Sequence, residues 1–436
     1  MSSLPSSSVL RSPRLWIGSG LILAVVSALF ALLYVGGNVN PKGNLRDLPV
    51  ALVNSDKGLD ANGKHLNFGE QVVSGIKKST AGNDSFDWQV LSRQEADKKL
   101  GQGKLYGAIV VPQNFTAAVT GLTSPQQQAQ PVRPALSVLT NQSAGSFGSS
   151  MASQATQKAA HAASAQLGKQ LLDRAAAQKA PLAPAAKLML ADPVSVQVAD
   201  GHPLGTHSAM GLSAFYYALV LVVCGMLGAN AITNQVDTAL GYLHSDFGPF
   251  RLRNPLQHTS RVRTLAIGSI LMLAFSVVMG SIVEGATVGI LGMDASHLGL
   301  LWVYSVATIA VVGISALTLL AAFGVPGMLL SAIVFVAMAV PSSGATVPLE
   351  ALPGFFRWLS EFEPLRQITG GMRSILYYGA QADAGLTRAW ISMGAALVVA
   401  LLFGFGVTRF YDRKGLHRVP RPTEPADDAV PATAAA

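Results

Sequence analysis

One apolar span at Leu15–Gly36, about 170 mostly polar residues after it, and several more apolar spans crowded into Ala209–Phe410 constrain this chain more than any other feature. That asymmetry describes a polytopic membrane protein carrying one sizeable domain between its first and second helices. Composition agrees: of 436 residues, 12% are charged and 50% hydrophobic, against about 25% charge in an average soluble domain. A spanning helix needs about 20 mainly apolar residues, because the hydrocarbon core is about 30 Å thick. Six candidates are legible: Leu15–Gly36, Ala209–Ala231, Thr264–Val283, Leu300–Ala322, Gly327–Val340 and Ala389–Phe410. Gly327–Val340, bounded by Pro326 and Pro341, reaches only roughly 21 Å at 1.5 Å per residue. It reads as a thin span or as half of a broken one.

Orientation follows from Lys and Arg, which collect in cytoplasmic loops. Arg11 and Arg14 precede the first span, Arg251, Arg253, Arg261 and Arg263 lie between the second and third, and Arg409, Arg413, Lys414, Arg418 and Arg421 follow the last. Six spans put all three clusters on one side, whereas five would place the C-terminal cluster outside. The expected organisation is therefore a cytoplasmic tail 1–14, a first transmembrane helix 15–36 and an extracytoplasmic domain 37–208. A five-helix membrane domain 209–410 follows, with a cytoplasmic loop 232–263 and outer interfacial helices 342–388, then a cytoplasmic, disordered tail 411–436. The apolar run of the first span exceeds the 7–15 residues of a signal-peptide core, so it is expected to stay as an anchor. The net charge of +8 is this juxtamembrane bias summed. With no aromatic platform among the basic residues, no nucleic-acid partner is expected.

The outer domain reads as α/β. β-type runs at Leu48–Asn54, Asp87–Leu91, Leu105–Val111, Pro134–Thr140 and Val194–Val198 alternate with helical patterns at Asn67–Ser79, Ser92–Leu100 and Asn114–Leu122, which predicts βαβ units. Ser92 and Glu95 have the spacing of a capping box. Gly145–Ala180, rich in Ala, Gln and Ser, predicts a long helix or helical hairpin packed on a partner or on its own subunit, with a floppy connector as the alternative. The only cysteine, Cys224, falls in the second span, so a disulfide does not hold the outer domain.

Catalytic motifs are absent. There is no Gly-x4-Gly-Lys-Ser/Thr phosphate loop, His-Glu-x-x-His, Cys-x-x-Cys or Gly-x-Ser-x-Gly, and the eight histidines are dispersed; neither enzyme activity nor a cofactor or metal is expected. Asn54-Ser55-Asp56-Lys57-Gly58 followed by Asp60 lacks the Glu that closes a calcium loop and reads as strand-ending turn chemistry. The apolar cores of the spans hold no ionisable residue, the first acid, Glu284, standing at an outer end. That disfavours ion-coupled antiport, which binds its ion at depth. What the spans hold is small: Gly225, Gly228, Gly268, Ser276, Gly280, Gly313, Ser315, Thr318, Gly394, Gly404 and Gly406. Such residues allow close helix approach, within one subunit, at a dimer seam or along a substrate path.

After the fifth span, Leu352-Pro353-Gly354-Phe355-Phe356-Arg357-Trp358-Leu359 places aromatics on a short helix, and Pro364 starts another that runs to Tyr377-Tyr378-Gly379. Aromatics at this density suit a membrane interface. Glu361, Glu363, Arg366 and Arg373 are expected to face water or each other. Phe355, Phe356, Trp358, Arg373 and Tyr377 form a candidate outer gate, with plain anchoring as the bland alternative.

Leu48-Pro49-Val50-Ala51-Leu52-Val53-Asn54-Ser55-Asp56-Lys57-Gly58, then Asn62-Gly63-Lys64, Asp87-Trp88 and Gly103-Lys104-Leu105-Tyr106-Gly107-Ala108-Ile109-Val110-Val111-Pro112-Gln113-Asn114-Phe115, resembles the N-terminal extracytoplasmic region of the YhgE/Pip (phage infection protein) family. Pro364-Leu365 with Gly371-Met372-Arg373-Ser374-Ile375-Leu376-Tyr377 resembles the last outer helices of ABC type-2 exporter permeases. The resemblance implies a six-helix permease with an inserted outer domain, working in the bacterial plasma membrane as a homodimer or heterodimer in contact with lipid and with a separate ABC ATPase. By the same analogy the ATPase docks near Gly241–Asn254, on Phe247, Phe250, Arg251 and Arg253. The implied function is outward movement of a drug, lipid or polymer precursor; the alternative is a non-transporting scaffold or receptor that binds through its outer domain. Members of that family often carry a longer, coiled-coil outer domain, and this one is compact.

Overall fold

The structure, a computed structural model, describes residues 13–61, 64–123, 133–177, 184–243, 245–247, 250–252, 254–416 and 418. It resolves into two compact units: the described parts of Met1–Val220, Glu284–Trp302 and Ile333–Ser392 form one, and those of Leu221–Val283, Val303–Ala332 and Met393–Ala436 the other.

In the first unit, helix α1 (Pro13–Phe30) runs on as a wider turn over Ala31–Val35, and an α/β domain follows. Its strands are β1 (Leu48–Asn54), β2 (Phe86–Leu91), β3 (Gly107–Val111), β4 (Ala135–Thr140) and β5 (Ser195–Asp200). Between them stand α2 (Phe68–Ser79), α3 (Arg93–Leu100), α4 (Phe115–Thr123), α5 (Ser146–Ala177) and α6 (Pro184–Ala191). The sheet order is β2-β1-β3-β4-β5. β1 runs parallel to β2 and β3, β4 antiparallel to β3, and β5 parallel to β4. Three connections, β1–α2–β2, β2–α3–β3 and β4–α5–α6–β5, thus join parallel strands through helices as expected of βαβ units, while the return from α4 to β4 reverses direction. The five β-type runs and the three helices expected between them are present, with ends moved by two residues at most, and the expected helix Gly145–Ala180 is described over Ser146–Ala177, residues 178–180 lying outside the described residues.

β1 lies inside the sheet, between β2 and β3, and both of its faces are apolar, as buried parallel strands require. Leu52 joins Ile109, Val111, Leu136 and Val138 on one face, under Phe68, Val72 and Ile76 of α2, Phe115 and Val119 of α4, and Ala160, Leu167 and Leu171 of α5. Ala51 and Val53 point the other way, with Ala108, Val110 and Leu139, against Ala96 and Leu100 of α3. The period of two in a strand produces this division; truncating a core leucine such as Leu52 to alanine costs about 2–5 kcal/mol. The long Ala-rich helix packs on its own subunit: Ala152, Thr156, Ala160, Ala163, Leu167 and Leu171 are buried along one stripe of α5, at the three- and four-residue spacing of a helix face. Its backbone lies so close to its neighbour that a Cβ on Gly168 would stand 2.3 Å from the Leu190 carbonyl.

The Asn54–Gly58 run is turn chemistry, as its spacing indicated. The Asp56 carboxylate is buried and accepts from the backbone N–H groups of Gly58 at 3.3 Å, Gly69 at 3.1 Å and Thr116 at 3.1 Å, and from the Thr116 hydroxyl. Gly69 and Thr116 open α2 and α4, where a negative charge meets the positive ends of two helix dipoles. Asn67 caps α2 by accepting from the Glu70 N–H at 2.7 Å. The Ser92–Glu95 capping box starts α3.

Among the described residues, five helices are long and apolar enough to cross a membrane: α7 (Ser213–Ala239), α8 (Arg261–Glu284, continuing to Ile290), α9 (Leu298–Phe323), α10 (Val325–Ala332, continuing to Ser342) and the C-terminal helix Leu386–Arg413. The short fifth segment is longer than its apolar run, 18 residues over Val325–Ser342, or about 27 Å. Pro326 sits in its first turn, where no N–H is needed. Glu284 is not at a helix end, since α8 continues six residues as a wider turn, Gly285–Ile290. The described apolar part of α1, Gly20–Val35, is shorter than these five.

Within the second unit the small residues let helices touch. A Cβ on Gly225 would meet the Ile309 carbonyl at 2.9 Å, one on Gly280 the Val306 side chain at 2.8 Å, and one on Gly404 the Thr318 side chain at 2.4 Å. Gly394 and Gly406 face open space. At one end of this unit Asp412 caps α8, accepting from the N–H groups of Arg261 at 2.9 Å and Val262 at 3.1 Å. Arg418 forks onto the buried Asp237.

Asp56→Ala leaves three backbone donors without their acceptor, each costing about 1–3 kcal/mol when buried, so the α/β domain of the full chain in detergent is expected to lose several kcal/mol and become open to limited proteolysis around α2 and α4. Wild-type protection in the variant would contradict this role.

Candidate functional site

The segment after α10 folds as two short helices, α11 (Gly354–Leu359) and α12 (Pro364–Tyr377). α12 is built for its place: Pro364 presets the first turn, the Glu363 carboxylate accepts from the Arg366 N–H at 2.9 Å as its cap, and Leu365, Ile368, Met372 and Ile375 make a buried face. The hairpin belongs to the α/β domain's own packing. Leu48 and Val50 of β1, Tyr106, Met151 and Ala152 share a core with Val347, Ala351, Leu352 and Phe356. Arg357 fixes the approach by donating from Nη2 to the Glu350 carbonyl at 2.9 Å, while the Arg46 N–H donates to the same oxygen at 2.8 Å.

Between hairpin and domain, inside the first unit, lies a cavity of about 280 Å³. Lys104 and Tyr106 enter from the loop before β3, Glu350 from the turn before α11, Arg366, Thr369 and Arg373 from α12, and Arg388 from the start of the last helix. The loop reaches in because Gly103 takes φ +66° directly beneath the Tyr378 hydroxyl, where a Cβ would stand 2.3 Å from that oxygen.

Electrostatically the cavity is unbalanced. Glu361 accepts from both Arg366 at 2.9 Å and Arg388 at 2.7 Å, and these bonds hold its carboxyl below the usual range, Arg366 contributing most. Lys104 stands 3.9 Å from Asp383. Arg373 reaches only the Gly344 carbonyl, at 3.5 Å, and its water-shielded Nε has no hydrogen-bond partner among the described residues; nor has the Thr369 hydroxyl, on a side chain 1% exposed. The acid that lines the cavity, Glu350, accepts from the Tyr106 hydroxyl at 3.3 Å. Burial pushes both groups up, Glu350 above the usual carboxylate range and Tyr106 well above the usual phenol range. Among the described residues no three His, Cys, Asp or Glu gather as a metal site would need.

The five candidate gate residues separate. Phe355 and Trp358 are 55% and 61% exposed and, with Phe362 at 71%, form an open aromatic edge. Phe356 is buried in the shared core, and Arg373 lines the cavity. Tyr377 is buried and holds the start of α7, its hydroxyl bonding Ser213 Oγ at 2.8 Å and accepting from the Ala214 N–H at 3.0 Å. Glu361 and Arg366 pair as expected. Glu363 instead is 3% exposed, because the helix it caps lies on the core. In the loop 232–263, Ser245–Phe247 and Phe250–Leu252 pair as an antiparallel hairpin, which sets Phe247, Phe250 and Arg251 on its strands; Arg253 lies outside the described residues. Sequence reasoning missed Lys104, Tyr106, Glu350, Thr369 and Arg388 as one cluster. Gly103 beside Lys104 was the available signal, a glycine where the chain must approach something closely.

Five long apolar helices and an α/β sheet domain define a multi-pass α-helical membrane protein. The chain belongs to the family described as "Protein of unknown function (DUF3533)", whose model matches residues 19–396. It is also similar to "Uncharacterized protein YhgE" of Bacillus subtilis (strain 168), 30% identical over 102 residues, a stretch covering 22% of this chain and 13% of that protein. The earlier resemblance to YhgE thus has support over a limited stretch.

Burial pushes Glu363 up to about 7, against smaller opposing pulls from the backbone N–H groups of Leu365 and Arg366. A carboxyl raised on folding favours the folded state at low pH, and that contribution is lost as pH climbs from the ordinary carboxylate range through about 7. Wild type is therefore expected to melt lower at pH 8 than at pH 5 by a margin that Glu363→Gln reduces, since glutamine keeps the cap acceptor without the charge. Equal pH dependence in the two proteins would refute it.

Proposed function

We propose that this chain is the permease subunit of a bacterial exporter that moves a hydrophobic or amphipathic compound outward, working as a dimer with a separate ABC-type ATPase. The observation that carries the reading is the hairpin between the last two long helices. Its outer edge exposes Phe355, Trp358 and Phe362, and its inner side borders a cavity lined by Lys104, Arg366, Arg373 and Arg388. An apolar edge next to a cationic recess suits cargo with both characters. Tight Gly-mediated packing of the long helices supports a bundle able to rock as rigid pieces, and domain rearrangement of that kind is how ligand binding is coupled to movement in many proteins.

In this reading α1 is a sixth span. Both termini lie in the cytosol, residues 37–208 face outward from the plasma membrane, and the outer helices 342–388 sit at the exterior interface, as the Lys/Arg clusters favour. The loop 232–263 receives the ATPase, with Phe247, Phe250, Arg251 and Arg253 as its contacts. The scaffold or receptor alternative drew on the Ala-rich helix as a partner surface, and the buried stripe of α5 is occupied by its own subunit.

The test is reconstitution with a candidate ABC-type ATPase. Hydrolysis is expected to rise with added amphipathic substrate and to fall at least tenfold in Arg251→Glu/Arg253→Glu, and single-cysteine labelling is expected to find positions 57 and 413 in opposite compartments. Substrate-indifferent hydrolysis, or both labels on one side, would defeat the proposal.

A further inference from the structure

The cavity under the hairpin has donors left over. Four cationic side chains line it, and the acids that answer them are few: Glu361 is shared between Arg366 and Arg388, Asp383 stands 3.9 Å from Lys104 while also accepting from Gln102 at 2.8 Å, and Glu350, on the cavity wall, accepts from Tyr106 at 3.3 Å and is pushed above the usual carboxylate range by burial. Arg373 has no acidic partner among the described residues. Its Nε and the Thr369 hydroxyl are buried without a hydrogen-bond partner there, although buried polar groups in folded proteins are overwhelmingly paired. The Arg373 guanidinium lines the cavity with Nη2 spent only on the 3.5 Å contact to the Gly344 carbonyl, and a planar fork of this kind is the usual means of gripping a tetrahedral oxyanion, because it matches two oxygens at once. The volume, about 280 Å³, lies just under the range of about 300–1,000 Å³ typical of drug-sized ligands, which fits a headgroup rather than a whole amphiphile.

We propose that this cavity is a binding site for a phosphate-bearing group, with Arg373 as its principal ligand and Lys104, Arg366 and Arg388 supplying the surrounding positive charge. The group comes either from an anionic phospholipid or from a soluble phosphate ester. The site stands independently of the export reading, because it needs neither an ATPase nor a particular sidedness.

The experiment uses the full chain and measures binding alone. In one arm the detergent-purified protein is titrated with sn-glycerol 3-phosphate and followed by melting temperature, which rises with any ligand that binds only the folded state. In the other, nanodiscs of phosphatidylcholine with and without phosphatidylglycerol are compared by native mass spectrometry of retained lipid. The expected result is saturable binding in at least one arm, weakened at least tenfold by Arg373→Gln, less by Arg373→Lys, and unchanged by Arg93→Gln, a surface control paired with Asp97. Binding of the soluble ester identifies a free phosphate source; retention of phosphatidylglycerol alone identifies a lipid. Should Arg373→Gln fail to fold, Lys104→Gln, on a half-exposed side chain, is expected to weaken binding at least threefold. No binding in either arm, or binding indifferent to both substitutions, overturns the proposal.

Discussion

The first unit depends on one shared core, in which Leu48 and Val50 of β1 are buried together with Ala351, Leu352 and Phe356 of the outer hairpin. Neither element could bury these side chains alone: the same face of β1 continues past Leu52 into the domain's main core, and a helix of six residues such as α11 has no independent stability. Packing joins them, and polar contacts set the register. Arg357 and the Arg46 N–H converge on one carbonyl, that of Glu350, and its side chain accepts from Tyr106. The cationic cavity is a consequence, since it is the space left where the start of β1, a glycine-led loop and an amphipathic helix meet around that core.

Acid side chains recur at helix starts, two of them buried, Asp56 and Glu363. Asp56 collects the starts of α2 and α4, Glu363 the start of α12, and Asp412 the start of α8. Each carboxylate meets free backbone N–H groups at a helix N-terminus, where its charge is favoured. A buried charge is costly unless fully partnered; Asp56, with four donors, and Asp237, forked by Arg418, meet that condition. Arg373, on the cavity wall, does not: its Nε, like that of Arg357, has no hydrogen-bond partner among the described residues.

Much of this was legible in the sequence because it is local. The period-two runs and the Ser92–Glu95 box delivered the strands and helices of the α/β domain nearly to the residue. Long apolar runs gave the membrane helices, the fifth extending beyond its apolar stretch because Pro326 sits harmlessly in its first turn. What escaped were matters of tertiary placement. Arg373 and Glu363 lie ten residues apart in one amphipathic stretch, yet one lines a cavity and the other is sealed in the core, and only the facing of α12 separates them. Lys104, Glu350 and Arg388 come from three distant segments, which no spacing rule joins. The reversal at β4 and the packing of α5 onto its own sheet likewise depend on contacts across the domain.

The account therefore rests on the hairpin and the α/β domain being one cooperative structure. Hydrogen–deuterium exchange on the full chain, wild type against Leu352→Asp, tests this directly. A charge placed in the shared core is predicted to strip protection from residues 48–53 and the start of α5 together with residues 349–377. Loss confined to the hairpin, with the strands as protected as in wild type, would contradict it.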